Sequence, residues 1–418
     1  MTKHNVAHAV IGAGYGDEGK GLATDVLAHH LRAHGERVTV VRSNGGAQAG
    51  HGVERPDGTR HVFHHIGAGT LAGARTHLSQ FFVAHPMLFF PEAEVLNRLA
   101  GPIDVTIDPR ALVTTPFDMA LNQALEIARG GGRHGSCGLG FGETIERSER
   151  GFSLTAAELG DEAGLRQHLV GIREDWLPAR VAELGIDPDM LLLQMIRTNQ
   201  GILERFLEDA LSFHAAVPLR EDATLGRDET ILFEGAQGLE LDMDLGAFPH
   251  VTRSRTGLPN MVEIAREAGI QEVHPLYMTR AYKTRHGAGP LPGEATLNDQ
   301  VEIVDLTNIP NDWQGTIRTA PLDLDRLSSI IDQDIARASS SGIGILSAIG
   351  VTCLDQIKDR LAVRTRKAET RWTADDFLEG VSSACSLSIG LVSLGPCREQ
   401  ARVHVFSGAD AAEPSGDF

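Results

Sequence analysis

The sequence has few cysteines and few aromatic residues, and it lacks an apolar run long enough to span a membrane. Cys137, Cys353, Cys385 and Cys397 are widely spaced, without the paired spacing of a structural zinc site or a disulfide framework. The apolar run near the amino terminus is too short for a signal peptide. We therefore expect a cytoplasmic protein with reduced thiols and no membrane partner.

Neither acidic nor basic residues are concentrated in one part of the chain. The formal net charge is -18 over 418 residues, without long blocks of acidic or basic residues. This acidic balance argues against a nucleic-acid partner. The hydrophobic fraction of 42% is that of a globular protein. Any phosphate-binding site must therefore be a local feature.

Apolar segments alternate between strand and helix patterns from the start of the chain. Residues 7–11 and 37–42 have the pattern of buried strands, and residues 19–33 have that of a helix. Further strands are expected at 104–107, 230–233, 273–279 and 342–347, and helices at 189–217 and 323–338. We predict an α/β fold, a single large domain over residues 1–418 with a central, mostly parallel sheet. A phosphate loop follows its first strand, and a helical insertion occupies about 141–223.

The segment GYGDEGKG, residues 14–21, follows the first predicted strand and resembles a phosphate loop. Its glycines allow backbone N–H groups to turn towards phosphate oxygens, and Lys20 adds a positive charge at the start of the helix. Gly21 stands where that motif has a Ser or Thr that binds Mg²⁺, so Asp17 is the nearest oxygen ligand. The alternatives are a glycine-rich turn without function, or a dinucleotide fold. The second is disfavoured because the next strand ends VVRSNGG, without an acidic residue for a ribose.

A second glycine-rich segment, NGGAQAGHGV at residues 44–53, follows the second predicted strand. The carboxyl ends of strands in a parallel sheet meet at one crevice, so Gln48 and His51 are expected near Asp17 and Lys20. A single histidine is more often structural than catalytic. The position of His51 in a glycine-rich loop at a strand end favours a functional role.

These two segments are followed, in order, by FEGAQGLELDMDLGAFPHVTRSRT at 233–256, AYKTRHGAGPLPGE at 281–294, TCLD at 352–355 and SLGP at 393–396. Together they resemble the adenylosuccinate synthetase family through nearly the whole chain. The resemblance implies a ligase of purine nucleotide biosynthesis that couples IMP to L-aspartate, with GTP as co-substrate and Mg²⁺ as cofactor, through 6-phosphoryl-IMP. It also implies a homodimer.

The resemblance assigns catalytic roles to four side chains. Asp17 would remove the purine N1 proton and bind Mg²⁺ together with the backbone carbonyl of Gly50. His51 would donate to the developing oxyanion, Lys20 would neutralise phosphate charge, and Gln237 would lie near the base. The resemblance also implies a larger set of nucleotide- and substrate-binding positions, which are Gly16, Glu18, Gly19, Gly21, Gln48, Gly135, Arg150, Thr252, Arg318, Asp355, Ser393 and Gly395.

Three of these positions have more specific roles by the same resemblance. Thr252 would bind the 5′-phosphate of the monophosphate, and Asp355 would accept hydrogen bonds from the guanine N1 and amino groups. An arginine that reaches the neighbouring subunit's site matches Arg147 or Arg150. On sequence grounds alone, Asp355 and Ser393 could equally be turn or cap residues.

The chain departs from the family pattern at several contacts with ligands. The arginine-rich loop T-T-G-R-x-R-R-x-G-W is replaced by DWQGTIRTAPLD at 312–323, where Arg318 alone remains to bind the carboxylates of the amine donor. HGSCGLG at 134–140 replaces T-T-G-R-G-I-G. Gln48 replaces Asn, Gly52 replaces Thr, and Cys353 replaces a Lys that packs on guanine.

Other functions stay open at this point. A paralogue could use another purine nucleotide such as GMP or dGMP, another amine donor, or ATP. A phage group that makes 2-aminoadenylosuccinate from dGMP commonly has a smaller residue at the loop aspartate, whereas Asp17 is present here. From a different class, the chain could be an inactive nucleotide-binding protein or a GTPase switch. Retention of Asp17, Lys20 and His51 disfavours the first, and Gly21 disfavours the second.

Overall fold

The fold is built on a large, mostly parallel sheet, in a computed structural model that describes residues 5–132, 135–303 and 317–404. The strands of these residues, in chain order, are β1 (Val6–Gly12), β2 (Val38–Arg42), β3 (His51–Glu54), β4 (Arg60–Phe63), β5 (Arg75–Leu78), β6 (Val83–Ala84), β7 (Val105–Ile107), β8 (Leu112–Val113), β9 (Thr230–Glu234), β10 (Glu272–Arg280), β11 (Tyr282–Arg285), β12 (Arg318–Asp323), β13 (Gly344–Ile345), β14 (Ala348–Thr352), β15 (Leu361–Arg364), β16 (Glu369–Trp372), β17 (Ile389–Ser393) and β18 (Ala401–Val403).

The α-helices alternate with these strands and then form a continuous block in the middle of the chain. They are α1 (Lys20–Ala33), α2 (Pro86–Ala100), α3 (Pro116–Arg129), α4 (Phe141–Glu149), α5 (Glu162–Gly171), α6 (Leu177–Leu184), α7 (Leu191–Thr198), α8 (Gln200–Ala216), α9 (Leu258–Glu267), α10 (Leu324–Ala338) and α11 (Ala374–Cys385). None of the helices in the described ranges has the length and apolar character needed to cross a bilayer.

The large sheet has the strand order β18-β17-β14-β10-β1-β9-β2-β5-β7, with β13 beside β10. All of its pairs are parallel except β17 with β18. Every residue of β2 is buried, as expected for a parallel strand covered on both faces. The α/β fold and the central sheet predicted from the sequence are confirmed. The carboxyl ends of β2, β9, β1, β10 and β14 therefore meet at one edge of the sheet, where ligands bind in this architecture.

The two faces of the sheet belong to different cores because side chains alternate along each strand. Val10 packs with Leu27 of α1 on one face. Ile11, the next residue, packs with Ile264 of α9 and Ile331 of α10 on the other. Helix α1 is thus fixed against the sheet directly behind the first loop.

The predicted helical insertion is present, because α4 to α8 follow one another between Phe141 and Ala216. These helices share a third core with α2 and α3, in which Leu169, Trp176 and Phe213 are buried. The helix expected at 189–217 is divided at Asn199, whose side chain accepts a hydrogen bond from the N–H of Gly201 and caps α8. The insertion covers one end of the sheet and supplies a wall of the cavity described below.

The strand expected at 342–347 is largely wrong. Only Gly344–Ile345 forms a short strand there, and the central strand is Ala348–Thr352, in which every residue is buried. Gly342 has a φ of +78° and belongs to the turn after α10. The apolar run spans both segments, so the sequence pattern did not separate the turn from the strand that follows it.

Arg147 forms a buried ion pair inside the insertion. Its Nε lies 2.9 Å from Asp118 Oδ1 and one terminal nitrogen lies 3.0 Å from Asp118 Oδ2, with both side chains fully buried. The guanidinium also donates to the carbonyls of Val113 and Phe152. Arg147 is therefore held within its own chain, and of the two arginines considered for a neighbouring subunit only Arg150 is exposed.

We predict that Arg147→Ala lowers the free energy of unfolding by about 3–5 kcal/mol, because Asp118 would remain as an uncompensated buried charge. Arg150→Ala on the same helix is the matched control. Arg150 pairs with Glu146 and Glu183 at the surface, so its loss should cost less than about 1 kcal/mol. Urea unfolding of both variants measures the difference. Equal effects would contradict a structural role for the buried pair.

Candidate active site

The phosphate loop joins β1 to α1 and is organised around the carboxylate of Glu18. One oxygen of Glu18 accepts hydrogen bonds from the N–H groups of Gly14 at 3.0 Å and Gly16 at 2.7 Å. The other oxygen lies 2.8 Å from Lys20 Nζ, and Glu18 is only 3% exposed. A Cβ at Gly12 would lie 2.4 Å from this carboxylate, so the strand must end in glycine there. Glu18 is an internal brace of the loop and fixes Lys20 at its centre.

Gly21 is required by a close backbone approach. A Cβ at this position would lie 2.7 Å from the carbonyl oxygen of Gly52 and 2.9 Å from the carbonyl carbon of His51. Strand β3 therefore packs directly on the first turn of α1. A Ser or Thr side chain at this position would not fit against β3. Glycine permits the close packing that brings His51 next to the phosphate loop.

Asp17 is held in an unusual backbone conformation. Its φ is +62°, a left-handed value that costs a non-glycine residue of the order of 1–3 kcal/mol unless its surroundings impose it. Arg280 Nε donates to the Asp17 carbonyl, and His286 Nε2 lies 2.9 Å from Asp17 Oδ2. Burial alone would raise the pKa of the Asp17 carboxyl, but His286, Arg280 and Lys20 outweigh it and hold the pKa below its ordinary value.

His51 lies at the start of β3 and is oriented by a buried carboxylate. Its Nδ1 is 2.6 Å from Glu234 Oε1, at the end of β9. Burial lowers the pKa of His51 to about 4, although the Glu234 carboxylate acts in the opposite direction. The imidazole is therefore neutral at pH 7, its Nδ1–H donates to Glu234, and Nε2 is left as the other functional atom.

Glu234 is in turn paired with Arg42 at the end of β2. One terminal nitrogen of Arg42 lies 3.6 Å from Glu234 Oε2, and both side chains are fully buried. Burial alone would raise the pKa of Glu234, but Arg42 and His51 hold it below its ordinary value. The nitrogens of the Arg42 side chain have no hydrogen-bond partner within the described ranges. The ends of the adjacent strands β2 and β9 and the start of β3 thus form a buried Arg–Glu–His chain.

Two glutamines complete this side of the site. Gln48 Nε2 and Gln237 Oε1 are buried, and neither atom finds a hydrogen-bond partner in the part of the chain that the structure describes. Gln237 also has a left-handed φ, of +60°. Both residues lie close to Gly45, at which an added Cβ would be within 4 Å of each side chain. Buried amide groups without partners indicate a place for a polar ligand.

One cavity of about 770 Å³ brings most of the predicted residues together. Its lining includes Gly16, Asp17, Lys20, Gln48, Gly50, His51, Gly135, Thr252 and Gln237. Loops that follow β1, β2 and β9 line one part of it, and residues of α3, α4 and α6 line another. The volume is in the range of nucleotide-sized ligand sites.

Known proteins resemble this chain in sequence and in fold. The sequence model described as adenylosuccinate synthetase matches residues 9–316. This chain belongs to the adenylosuccinate synthetase family. The relative from Anaeromyxobacter sp. (strain Fw109-5) is 33% identical over 295 residues, which are 68% of this chain and 64% of the relative. The relative from Alkalilimnicola ehrlichii is 33% identical over 306 residues, which are 70% and 65% of the two chains. The chain thus spans a little under two thirds of the length of these relatives.

Two solved structures share the fold over a longer range. The fully ligated adenylosuccinate synthetase from Plasmodium falciparum has a TM-score of 0.73 at 17% identity and covers 96% of this chain and 100% of that one. A cyanophage S-2L succinoaminodeoxyadenylate synthetase, bound to dGMP and dATP, has a TM-score of 0.61 at 16% identity and covers 96% of each chain. The family fold therefore continues beyond residue 316, where the sequence match ends.

The remaining positions expected from the family pattern lie on the other side of the phosphate loop. Asp355 follows β14, Ser393 is the last residue of β17 and Gly395 lies just after it, so all three lie at the same sheet edge but outside the lining of the large cavity. Thr352 joins this region to the loop, because its hydroxyl donates to the Glu18 carbonyl at 3.2 Å and its methyl group packs on Gly19. Burial raises the pKa of Asp355.

The contacts of Arg318 within the described residues are with its own chain, and its role in binding the amine donor's carboxylates stays a prediction. Its guanidinium is 2.8 Å from Glu294 and donates to the carbonyls of Gly287 at 3.0 Å and Gly289 at 2.9 Å. It is absent from the cavity lining of the described residues and holds the loop after β11 instead. The physical reason is that β12 pairs with β11, which places Arg318 opposite Arg285. Residues 312–316 of the same segment, and His134, lie outside the described residues.

Arg150, by contrast, is exposed at the surface and also lies outside the cavity of its own chain. The family pattern places an arginine from the neighbouring subunit at this position, and an exposed side chain is compatible with that role. Its function in binding remains a prediction.

Several site residues were missed by the sequence reasoning. Glu234 and Arg42 end two buried strands, and a charged residue at the carboxyl end of an otherwise apolar parallel strand was a usable signal. His286 and Arg280 gave no such signal, because they reach Asp17 only through the β10–β11 connection. Their contact with Asp17 depends on the parallel pairing of β1 with β10.

The donors in the cavity fit Mg²⁺, although no cluster of three or more His, Cys, Asp or Glu side chains in the described residues could hold a metal ion by itself. The Asp17 carboxylate is kept ionised, and the Gly50 backbone lines the same cavity. Mg²⁺ usually takes one or two protein oxygens and completes its shell with water and substrate phosphates. Asp17 and the Gly50 carbonyl are therefore sufficient on chemical grounds.

We predict that Gly21→Ser destabilises the protein by about 1–3 kcal/mol, because the new side chain meets the backbone of β3. It should not strengthen binding of Mg²⁺–nucleotide. Gly171→Ser is the matched control, since Gly171 is also helical but has open space around it, and its effect should stay within about 0.5 kcal/mol. Thermal unfolding and calorimetric titration measure the two effects. A stable Gly21→Ser protein with tighter Mg²⁺–nucleotide binding would contradict the steric explanation.

Proposed function

We propose that this protein is a GTP- and Mg²⁺-dependent carbon–nitrogen ligase that joins IMP and L-aspartate to form adenylosuccinate in purine nucleotide biosynthesis. The main support is that one cavity collects Asp17, Lys20, His51 and Gln237. The same cavity contains Thr252, which matches a monophosphate contact in the family, as Gln237 does, and Gln48 and Gly135, which match nucleotide- or substrate-binding positions. A phosphate loop and a second nucleotide site thus share one space.

In the first step, the purine 6-oxygen attacks the γ-phosphorus and the bond from that phosphorus to the leaving diphosphate breaks. The proton on N1 has to leave for the 6-oxygen to become nucleophilic. Asp17 is ionised and fixed in the cavity, so its carboxylate is the base we assign to this proton. Lys20 would neutralise charge on the phosphoryl oxygens, and bound Mg²⁺ would supply further neutralisation when present.

His51 is assigned to the phosphoryl group during transfer. Its Nδ1 is held by Glu234, so Nε2 is the atom that can meet the ligand. Burial keeps the imidazole neutral, and a phosphoryl group carrying negative charge nearby favours its protonated, donating form. Glu234 would then stabilise the imidazolium, as a carboxylate partner does in other catalytic pairs.

In the second step, the amine attacks C6 and the 6-phosphate leaves with its oxygen. Gln48 and Gln237 have buried amide atoms without protein partners, which suits recognition of a purine and its ribose phosphate. Arg150 would complete the pocket from the neighbouring subunit of a homodimer. The inactive nucleotide-binding alternative is disfavoured because the whole Asp17–Lys20–His51 set is retained in one cavity.

A paralogue with altered substrates is the second candidate, and a specific observation favours it. The sequence match to the family ends at residue 316, and Arg318, expected to bind the amine donor's carboxylates, contacts Glu294 and backbone carbonyls instead. The differences therefore concentrate at the amine donor and the triphosphate base. Under this alternative the purine could be GMP or dGMP, the amine another amino compound, or the triphosphate ATP.

The experiment that tests the function is turnover of the purified protein with IMP, GMP or dGMP, each with L-aspartate and either GTP or ATP. We expect phosphate release and product formation with IMP, aspartate and GTP, and none from Asp17→Ala, which lacks the base and the metal ligand. Turnover with another combination would establish the paralogue. No turnover with any combination would contradict the ligase assignment.

We predict that His51→Asn lowers the turnover number by roughly a hundredfold or more, the effect of removing one preorganised donor to a developing oxyanion. Binding of the monophosphate, measured by calorimetry, should change much less. An equal loss of affinity and turnover would show that His51 positions the substrate and would contradict its assignment to phosphoryl transfer.

A further inference from the structure

His286 is in contact with Asp17, the proposed base, but has no role in the proposed mechanism. It lines the cavity, is only partly exposed, and its Nε2 lies 2.9 Å from Asp17 Oδ2. His286 follows β11 and is far from the phosphate loop in the sequence, so nothing in the sequence predicted that the two would be in contact. Its imidazole is therefore aimed at Asp17 by tertiary structure alone.

We propose that the segment formed by β10, β11 and the residue after them acts as a clamp on Asp17, with His286 as the positioning residue that fixes the orientation of the carboxylate. Arg280, at the end of β10, donates from Nε to the Asp17 carbonyl. His286, just past β11, contacts the Asp17 carboxylate. The backbone and the side chain of a residue at φ +62° are thus both held by one segment of the chain. The inference rests on the proposed function of Asp17 as the base.

The clamp is needed because the Asp17 backbone is strained and because its carboxylate has two proposed roles, as the base and as a Mg²⁺ ligand. A left-handed aspartate relaxes to another backbone conformation unless neighbouring groups hold it, and a base must be placed within about 0.5 Å of its working position. Glu18 braces the loop on the side of α1 through Gly14, Gly16 and Lys20. None of those contacts involves the Asp17 carboxylate, whereas the His286 contact does.

The loop that follows His286 is stabilised by other residues, so the imidazole is not needed to hold it in place. Arg318 donates to the carbonyls of Gly287 at 3.0 Å and Gly289 at 2.9 Å, and Arg285 donates to that of Pro290 at 2.8 Å. Two guanidinium groups thus hold the backbone on the carboxyl-terminal side of the histidine. The histidine side chain is presented by a rigid loop and its contact with the carboxylate is a separate function.

The test compares two substitutions of His286 in the full-length protein. His286→Phe fills the volume without a donor, and His286→Gln places an amide N–H near the position of Nε2. With IMP, aspartate and GTP, the Phe variant should lose about 10- to 100-fold in the turnover number, the usual effect of removing a residue that orients an active-site ligand. The Gln variant should recover most of that loss. Monophosphate affinity by calorimetry should change by less than about threefold in both, since the contact is to Asp17 and not to the nucleotide.

His34→Gln is the control for replacing a histidine, since His34 is exposed and hydrogen-bonds within its own helix end. Unchanged turnover in the Phe variant would overturn the proposal. So would a Gln variant that is no better than Phe while affinity falls in parallel, because that pattern indicates a packing role.

A second measurement keeps the clamp testable if the proposed reaction is wrong. The melting temperatures of Asp17→Asn, His286→Phe and the double variant form a cycle. The clamp predicts that the double variant is destabilised by less than the sum of the two single changes. Additive shifts would overturn the contact, whereas a wild-type protein without turnover on any substrate would overturn only the proposed function.

Discussion

The carboxylate of Glu18 is the interaction on which the site depends. It accepts from two backbone N–H groups of the phosphate loop and pairs with Lys20, and it fixes the path of the chain between β1 and α1. That path leaves Asp17 with a left-handed backbone, in contact with Arg280 of β10 and with His286, which follows β11. It also leaves Gly21 in backbone contact with β3, which brings His51 to the loop. One buried carboxylate thus sets the positions of both groups to which the chemistry is assigned.

Buried charges occur throughout the site, and the main ones are arranged in compensating groups. Arg42, Glu234 and His51 form a chain across the ends of β2, β9 and β3. Because a buried charge is costly when alone, such chains tolerate few substitutions and keep their members in fixed orientations. Burial keeps His51 neutral, although Glu234 acts in the opposite direction. Asp17 is kept ionised by His286, Arg280 and Lys20. The two groups therefore differ in protonation state before the phosphoryl transfer, with Asp17 available as a base and His51 able to gain a proton beside the phosphoryl group.

One part of the site lies within the region that matches the family in sequence and another part lies beyond it, and this difference bears on which substrates the protein uses. The residues that line the cavity lie within the region that matches the family in sequence, whereas Arg318, Asp355 and Ser393 lie beyond residue 316. The family fold continues there, with 96% of the chain covered by each solved structure. A fold can be kept by burial and pairing alone, while contacts with a ligand require particular side chains. Arg318 illustrates this, since it has become a support for a loop.

The sequence by itself determined the α/β class, the parallel sheet, the helical insertion, and the placement of Asp17 and Lys20 after the first strand and of His51 after the second. These follow from local patterns, because apolar periodicity and glycine-rich turns are properties of neighbouring residues. Tertiary structure decided which distant residues meet. The pairing of β1 with β10 brought His286 and Arg280 to Asp17, the pairing of β2 with β9 joined Arg42 to Glu234, and the pairing of β11 with β12 took Arg318 out of the cavity. Strand order places side chains hundreds of residues apart within hydrogen-bonding distance, and no periodicity in the chain encodes that order.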